Sequence, residues 1–239
     1  MWLERIKWIL ANIGWPAAFV FWFQIIVVLY TSTGHISQSA LAYFHFLWTI
    51  IVCSFFSASF TPPEDCRKSN NQEKSESDDF CEKCNYKKPK RWHHCRRCNR
   101  CIHRMDHHCP ILQLCIHSGN HKFFLLFLLW PLQLAIFTVF HGYFDLWKMI
   151  RSIYTSEHLT NSEQLKGTGV SNAVMVGFAA IYLLKDQIPN LLRNQTLIEE
   201  ARDTVDYDLG SRSENVKEVM GEWKWAWLPV GLEAKKKKE

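Results

Sequence analysis

The sequence predicts a mainly α-helical integral membrane protein, with four transmembrane helices and a small cytosolic cysteine-rich domain between helices 2 and 3. Two observations lead to this prediction. The chain of 239 residues contains four long apolar runs, and a bilayer is spanned by roughly 20 apolar residues. In addition, seven of its nine cysteines fall between Cys81 and Cys115. Such a local density is not that of a generic soluble domain, although the overall composition, 48% hydrophobic and 21% charged, resembles one.

The apolar runs give the candidate spans. They cover residues 13–30, 40–60, 123–144 and 170–192, and the last ends at 184 if Lys185 and Asp186 stay outside the membrane interface. Four core helices of this kind would leave too little chain to bury them, so membrane helices are favoured over a soluble bundle. A short interfacial helix is expected before the first span.

The basic residues give the orientation. Thirteen Lys and Arg lie between the second and third spans, nine follow residue 192, and none lies between the first and second spans. Because basic loops stay in the cytosol, both termini and the central loop are predicted to be cytosolic. The cysteines then lie in a reducing compartment, where metal binding or thiol chemistry is favoured over disulfides.

The predicted organisation follows from these features. Residues 1–60 form the interfacial helix and spans 1–2, and residues 61–79 form a polar cytosolic linker. The cysteine-rich domain covers residues 80–122, spans 3–4 cover residues 123–192, and residues 193–239 form a cytosolic C-terminal segment.

The cysteine-rich domain has the pattern of a structural zinc module. Two C-x2-C pairs begin at Cys81 and Cys95, with ten residues between the pairs, a spacing typical of tetrahedral zinc. Two such ions need eight ligands, whereas the module offers seven Cys and, up to His108, five His. At least one cysteine can therefore remain free, and a free thiol near cations favours the reactive thiolate. The spacing alone does not identify it.

Residues 81–124 resemble the cysteine-rich domain of the DHHC protein S-acyltransferases, the membrane palmitoyltransferases. The run Asp106-His107-His108-Cys109-Pro110 matches the signature of that family. The predicted four-span topology, with this loop between spans 2 and 3, matches as well. The remaining frame is met by Cys81, Cys84, His93, His94, Cys95, Cys98, Cys101, Cys115, Asn120 and Phe124.

The resemblance implies two structural Zn²⁺ ions with interleaved ligands. One ion is expected on Cys81, Cys84, His94 and Cys101, and the other on Cys95, Cys98, His108 and Cys115. Cys109 is then spared. The resemblance makes it the nucleophile, with His107 accepting its proton and Asp106 orienting His107.

The implied activity is transfer of a fatty acyl group, palmitoyl being the leading candidate, from acyl-CoA to protein cysteines through an acyl-enzyme with ping-pong kinetics. The expected partners are acyl-CoA, proteins with membrane-proximal cysteines, the lipid bilayer and a possible accessory subunit. No nucleic-acid partner is expected, because the module is pinned against the bilayer. The alternative is a catalytically weak scaffold of the same fold.

The acyl and CoA contacts are predicted from position. Phe124, Phe127 and Leu134 repeat at helical spacing on the third span and are candidates for the acyl cavity, as is Ile111. Ordinary helix packing is the competing interpretation for each. Lys88 and Arg91 are candidates for the CoA phosphates, and attraction to anionic lipid is the competing interpretation there.

The chain departs from the family after Pro110. Residues 110–115 read Pro-Ile-Leu-Gln-Leu-Cys where the family usually has Pro-Trp-Val-Asn-Asn-Cys. The loss of an aromatic and two polar residues near the expected acyl carbonyl keeps the scaffold hypothesis open.

Further positions are expected to be structural or to direct localisation. Thr196, in a T-L-I-E version of the family's T-T-x-E element, joins Asn120 and Asn215 as structural residues. His103, His117 and His121 are expected at the surface or the membrane interface rather than on a metal. A dilysine-like tail ending in Lys235-Lys236-Lys237-Lys238-Glu239 favours the endoplasmic reticulum, with the Golgi as a further possibility and a lipid-binding basic tail as the alternative.

Overall fold

The computed structural model describes residues 37–64, 80–203 and 207–230. The predicted first span, most of the linker and the dilysine-like tail lie outside the described residues. The fourth transmembrane helix therefore stays a prediction.

Three long helices dominate the described part of the chain. They are α1 (Gln38–Phe60), α2 (His121–Thr155) and α3 (Asn161–Leu192). Each is long and apolar enough to cross a membrane. The predicted mainly helical fold is thus confirmed. The last three predicted spans correspond to helices that could cross a membrane. Both α2 and α3 continue beyond their apolar runs. Lys148 of α2 and Glu163 of α3 form an ion pair of 3.0 Å next to the short connection between the two helices.

Described residues 37–52 and 128–184 form one compact unit. Tyr43 of α1 packs edge-on against Phe137 of α2, with 5.2 Å between the ring centroids. Gly167 lies directly against Met149, since a Cβ atom added at Gly167 would come within 2.8 Å of the Met149 side chain. Small residues of this kind let two membrane helices approach closely.

The long helices also carry many apolar side chains that face outward. Phe140, Phe178 and Tyr154 are mostly exposed, Tyr154 by 84%. Contiguous apolar exposure is costly in water but suits contact with lipid chains.

Described residues between 53 and 127, together with those from 185 to 230, form the second compact unit. Its first part is built from short antiparallel hairpins. These hairpins pair β1 (Phe80–Cys81) with β2 (Tyr86–Lys87), β3 (Trp92–Cys95) with β4 (Arg100–His103), and β5 (His107–Cys109) with β6 (Leu114–Ile116).

The hairpin turns need left-handed backbone. Asn85 follows Cys84 with φ 54°, Asn99 follows Cys98 with φ 48°, and Gln113 occupies the third turn with φ 54°. Asn tolerates this conformation better than most residues, because its short polar side chain can bond locally. Asn at the first two turns therefore favours the same tight geometry at both C-x2-C pairs.

The last described part of the chain contains three short helices, α4 (Leu197–Ala201), α5 (Arg212–Met220) and α6 (Trp223–Ala226). Thr196 caps α4 through a capping box with Glu199. The buried amide of Asn215 donates to the Leu192 carbonyl and to Asp208, and it accepts from the Leu209 amide. These contacts fit the structural roles predicted for both residues.

Asn120 has a similar set of contacts at the start of α2. Its side-chain oxygen accepts from the His117 amide at 2.8 Å. Its side-chain nitrogen donates to the carbonyls of Cys115 and Ala58 at 3.0 and 3.2 Å. The buried amide therefore joins the end of β6 to the end of α1, as a structural residue would.

Candidate active site and metal sites

Two groups of side chains in the hairpins can each hold a metal ion. Within each group, the ligand atoms all lie within 4.8 Å of one another. We call the group of Cys81, Cys84, His94 and Cys101 cluster A, and the group of Cys95, Cys98, His108 and Cys115 cluster B. These are the two sets that the family resemblance implied.

The distances within both clusters fit a tetrahedral ion. In cluster A, His94 Nδ1 lies 3.3 to 3.8 Å from the three sulfurs, and in cluster B, His108 Nδ1 lies 3.5 to 3.7 Å from them. Zinc bonds of roughly 2.0–2.3 Å at the tetrahedral angle place ligand atoms about 3.5–3.8 Å apart. The donors are sulfur and imidazole nitrogen, which zinc prefers.

The interleaving of the clusters follows from the hairpin register. His94 and Cys101 are cross-strand partners on β3 and β4, and His108 and Cys115 are partners on β5 and β6. Each pair meets the C-x2-C turn of the preceding hairpin. An ion in cluster A would therefore join the first hairpin to the second, and an ion in cluster B the second to the third. Hairpins as short as these need such cross-links to be stable.

Cys109 lies outside both clusters, as far as the described residues go. It follows the ligand His108 on β5 and pairs across the hairpin with Leu114. Because successive strand side chains point to opposite faces, Cys109 shares its face with His107 and not with His108. The thiol is 4% exposed. The strand thus places a buried cysteine that belongs to neither cluster beside an imidazole.

Asp106 and His107 form a short, buried pair. His107 Nδ1 donates to Asp106 Oδ2 at 2.7 Å, and the Asp106 side chain is fully buried. Burial by itself would raise the pKa of Asp106. The hydrogen bonds from His107 and from the Leu197 amide outweigh burial and hold that pKa well below its usual range. Asp106 is therefore a carboxylate at neutral pH.

The pair also changes the protonation of His107. Burial disfavours the imidazolium, but the hydrogen bonds to Asp106 and to Cys109 act in the opposite direction and raise the pKa of His107 to about 9. At neutral pH, His107 is then the charged partner of Asp106, and its other face meets the Cys109 thiol. An imidazole in this position can exchange a proton with the Cys109 sulfur.

Two further groups hold Asp106, and the sequence analysis did not identify either of them. Gln187 Nε2 donates to Asp106 Oδ2 at 2.8 Å, and the Leu197 amide donates to Oδ1 at 2.9 Å. A signal for Gln187 was present, because a polar residue within an apolar span is often functional. The bond from Leu197 is made by the backbone, so no side-chain pattern could have revealed it.

Arg91 ties the hairpins to the C-terminal segment. Its guanidinium makes bonds of 2.7 and 2.8 Å to both carboxylate oxygens of Glu199 and donates to the Asn194 carbonyl at 2.8 Å. It also lies 4.1 Å above the ring centroid of Tyr207. These contacts give Arg91 a structural role, and its binding to CoA stays a prediction. Lys88, the other residue predicted to bind CoA, is half-buried.

The residues predicted for the acyl cavity lie in different environments. The Phe124 ring packs edge-on against the imidazole of His107, with 5.2 Å between centroids. Phe127 is half-buried, Leu134 is fully buried, and Ile111 is 54% exposed. Only Phe124 is thereby brought next to the Asp106–His107 pair by a direct ring contact.

Two histidines lie deeper than the sequence analysis expected. His117 is 2% exposed and His121 is fully buried, whereas a position at the surface or the interface was predicted for both. His117 Nδ1 accepts from the Gly119 amide, and His121 bonds to Gln187. The hydrogen bonds on both ring nitrogens of His121 offset the cost of burying its imidazole, and a residue-by-residue prediction cannot include such partners.

The comparison with known proteins bears on the same region. A family model described as DHHC palmitoyltransferase matches residues 74–204, which is more than half of the chain. The match includes both clusters, the run from Asp106 to Cys109, and the segment from Thr196 to Glu199. A search of curated proteins found no match to the chain.

Proposed function

The chain belongs to the DHHC palmitoyltransferase family, and from this premise we propose that it is a protein S-acyltransferase. It moves a fatty acyl group, palmitoyl as the main candidate, from acyl-CoA to cysteine thiols of proteins. The observation that carries the proposal is that Cys109, which belongs to neither cluster, shares a strand face with His107, whose imidazole bonds to the buried Asp106.

In this proposal, Zn²⁺ occupies clusters A and B. Such ions would be structural, since each cluster offers four protein ligands and would leave no open position for substrate. They fix β5, and with it the placement of Cys109 beside His107.

In the first half-reaction, the Cys109 sulfur attacks the carbonyl carbon of the acyl-CoA thioester. The bond between that carbon and the CoA sulfur breaks, and a new thioester forms on Cys109. The proton of the Cys109 thiol resides on His107, and Asp106 stabilises the resulting imidazolium. The departing CoA thiolate takes up this proton, which returns His107 to the neutral form.

In the second half-reaction, a cysteine thiol of the protein substrate gives its proton to His107 and attacks the acyl carbonyl on Cys109. The Cys109 thiolate leaves, and the substrate carries the thioester. One thioester replaces another in each step, so that no ATP is consumed. The two steps share one site and predict ping-pong kinetics.

The acyl chain is proposed to lie in the bilayer region, starting beside Phe124, which contacts His107. Burial of each methylene contributes about 0.8 kcal/mol, so a long chain binds largely through its tail. Phe127, Leu134 and Ile111 remain proposed wall residues. Lys88 and Arg91 remain proposed contacts for the CoA phosphates.

We propose further that both termini face the cytosol and that the protein resides in the endoplasmic reticulum, with the Golgi as the alternative. The dilysine-like tail and the basic central loop support this. Replacing Lys236 and Lys237 with Ala should move a tagged protein out of the endoplasmic reticulum. An unchanged distribution would contradict the role of the tail.

Autoacylation of the purified protein tests the function. Incubated with alkyne-labelled palmitoyl-CoA in detergent, the protein should acquire a label that hydroxylamine removes. Cys109→Ser should abolish this label. Cys53→Ser is the matched control, because Cys53 is a free cysteine outside the two clusters and should leave the label unchanged. Equal labelling of wild type and Cys109→Ser would overturn the proposed nucleophile.

The scaffold hypothesis is favoured by one observation, the departure from the family at residues 111–114, where an exposed Ile111 stands in place of the family's Trp. The same experiment separates the two. A scaffold keeps its metal ions but takes up no hydroxylamine-labile label from any acyl-CoA, with or without partner proteins.

A further inference from the structure

A chain of buried polar side chains lies behind Asp106. Gln187 Oε1 lies 2.8 Å from His121 Nε2, and His121 Nδ1 lies 3.2 Å from Arg104 Nη1. Arg104 is anchored in turn by a bond of 3.0 Å to Asn194 Oδ1. Gln187, His121 and Arg104 are each less than a tenth exposed. Neither the predicted ligands nor the predicted catalytic residues include any of these three.

Arg104 fixes the direction of every hydrogen bond among these three side chains. A guanidinium can only donate, so His121 Nδ1 must accept from Arg104. The proton of the neutral imidazole then resides on Nε2, which donates to Gln187. The Gln187 amide must therefore turn its oxygen to His121, which leaves its nitrogen to donate to Asp106 Oδ2. The orientation of the amide is thus assigned from its partners.

We propose that Gln187, oriented by His121 and Arg104, is a positioning residue that fixes the Asp106 carboxylate for the proposed acyl transfer, on which this inference rests. The terminal side-chain torsion of aspartate has a broad range of allowed values, so an unrestrained carboxylate rotates easily. In this site, the Leu197 amide holds Oδ1 and Gln187 holds Oδ2, which His107 shares. With both oxygens held, the carboxylate stays in place to accept the hydrogen bond from His107 Nδ1, and the other imidazole nitrogen is left to face Cys109.

Two variants remove the donor in different ways. Gln187→Met keeps a similar side-chain length and removes both hydrogen bonds. Gln187→Glu keeps the shape and the acceptor for His121 but turns a second carboxylate toward Asp106. Gln164→Met is the matched control, since Gln164 lies on the same helix α3 and is exposed. Metal content per chain serves as the check that each variant is folded.

Two readouts are measured on the full-length protein. The first is the rate constant of autoacylation as a function of palmitoyl-CoA concentration. The second does not depend on acyl transfer. It is the rate at which iodoacetamide alkylates Cys109 at one fixed pH, followed by mass spectrometry of the Cys109 peptide.

Both Gln187 variants should lower the saturating acylation rate about tenfold or more, because a hydrogen bond to a charged catalytic group is lost. The half-saturating palmitoyl-CoA concentration should stay within about twofold of wild type, which a general loss of structure would not produce. Cys109 alkylation should slow severalfold in both variants, and Gln164→Met should match wild type. If Gln187→Met loses metal, the rates of Gln187→Glu decide the test.

Acylation and alkylation rates within twofold of wild type in a metal-replete Gln187 variant would overturn the inference. A wild type that takes no acyl label while its Cys109 alkylation still depends on Gln187 would refute the proposed function and support the positioning role. A wild type without label and without that dependence would refute both.

Discussion

The pair of Arg91 and Glu199 offers a quantitative test of what joins the hairpins to the C-terminal segment. The change is Arg91→Met, which keeps much of the aliphatic stem and removes the charge. In the folded chain the guanidinium makes two bonds to the Glu199 carboxylate, and the two side chains are 13% and 3% exposed. Arg91→Met therefore leaves a buried carboxylate without its counter-charge.

The expected loss of stability is large for one substitution. Removing one partner of a buried, hydrogen-bonded ion pair costs about 3–5 kcal/mol. We expect the lower end, about 3 kcal/mol, because Glu199 keeps its bond from the Thr196 amide. For a chain of this length, that corresponds to a fall of about 6–12 °C in the unfolding midpoint. Arg151→Met is the matched control and should cost about 1 kcal/mol or less, since Arg151 and Glu157 are both half exposed.

The assay is thermal unfolding in detergent, followed by circular dichroism, for wild type, Arg91→Met, Glu199→Gln and the double variant. If the unpaired carboxylate is what costs stability, adding Glu199→Gln to Arg91→Met should regain part of the loss. A double variant no more stable than Arg91→Met would refute this reasoning, as would a fall of less than about 2 °C for Arg91→Met.

The same pair predicts a pH dependence. Burial raises the pKa of Glu199, but the hydrogen bonds and charge of Arg91 lower it more, so the net pKa is below its ordinary value. A depressed carboxyl pKa gives stability that is fully present above the unfolded value of about 4.3 and is lost as pH falls below it. The difference in unfolding midpoint between wild type and Arg91→Met should therefore be large at pH 7 and should shrink as pH falls below about 4. If the difference in unfolding midpoint did not change with pH, the charge of Glu199 would be excluded as its cause.

Three further predictions concern the metal sites, the C-terminal segment and His107. Cys98→Ala should reduce the metal content by one ion per chain, measured by elemental analysis, whereas Cys109→Ser should retain both; an equal loss in the two would contradict the ligand assignment. Asn215→Ala should destabilise the protein by about 2–3 kcal/mol in thermal unfolding, because three hydrogen bonds of a buried amide are lost, and a change below about 0.5 kcal/mol would argue against that role. The pKa of His107, about 9 in the folded protein, is raised above its ordinary value, so its contribution to stability is complete below about pH 6.5 and is lost as pH rises through 9. His107→Asn should remove that alkaline loss, and an unchanged alkaline profile would contradict the assignment.

The family was accessible from sequence because its motif is local, and the resemblance to that family then supplied the ligand sets. Each C-x2-C pair lies in one turn, and each His–Cys pair spans one short hairpin, such as His94 with Cys101. Position along the chain then nearly determines position in space. The apolar runs are local signals too, which explains why both ends of α1, the start of α2 and the end of α3 were predicted to within two residues. The end of α2 at Thr155 and the start of α3 at Asn161 lie outside the predicted runs.

The contacts behind the candidate active site were not accessible in this way. Gln187 reaches Asp106 across 81 positions of the chain, and Arg91 reaches Glu199 across 108. No spacing rule connects such positions, since which groups meet depends on how the helices return to the hairpins. His121 was consequently predicted at the surface or the interface, whereas its hydrogen bonds are made in the interior.

By itself, then, the sequence predicted three long apolar helices and the family, because membrane insertion and the family's motif depend on residue types at short intervals. The two sets of four ligands followed from the resemblance to that family. Only the tertiary structure decided that both oxygens of Asp106 are held by Gln187 and the Leu197 amide, and that Arg91 is paired with Glu199. Buried polar groups must find partners, and the partners are chosen by packing.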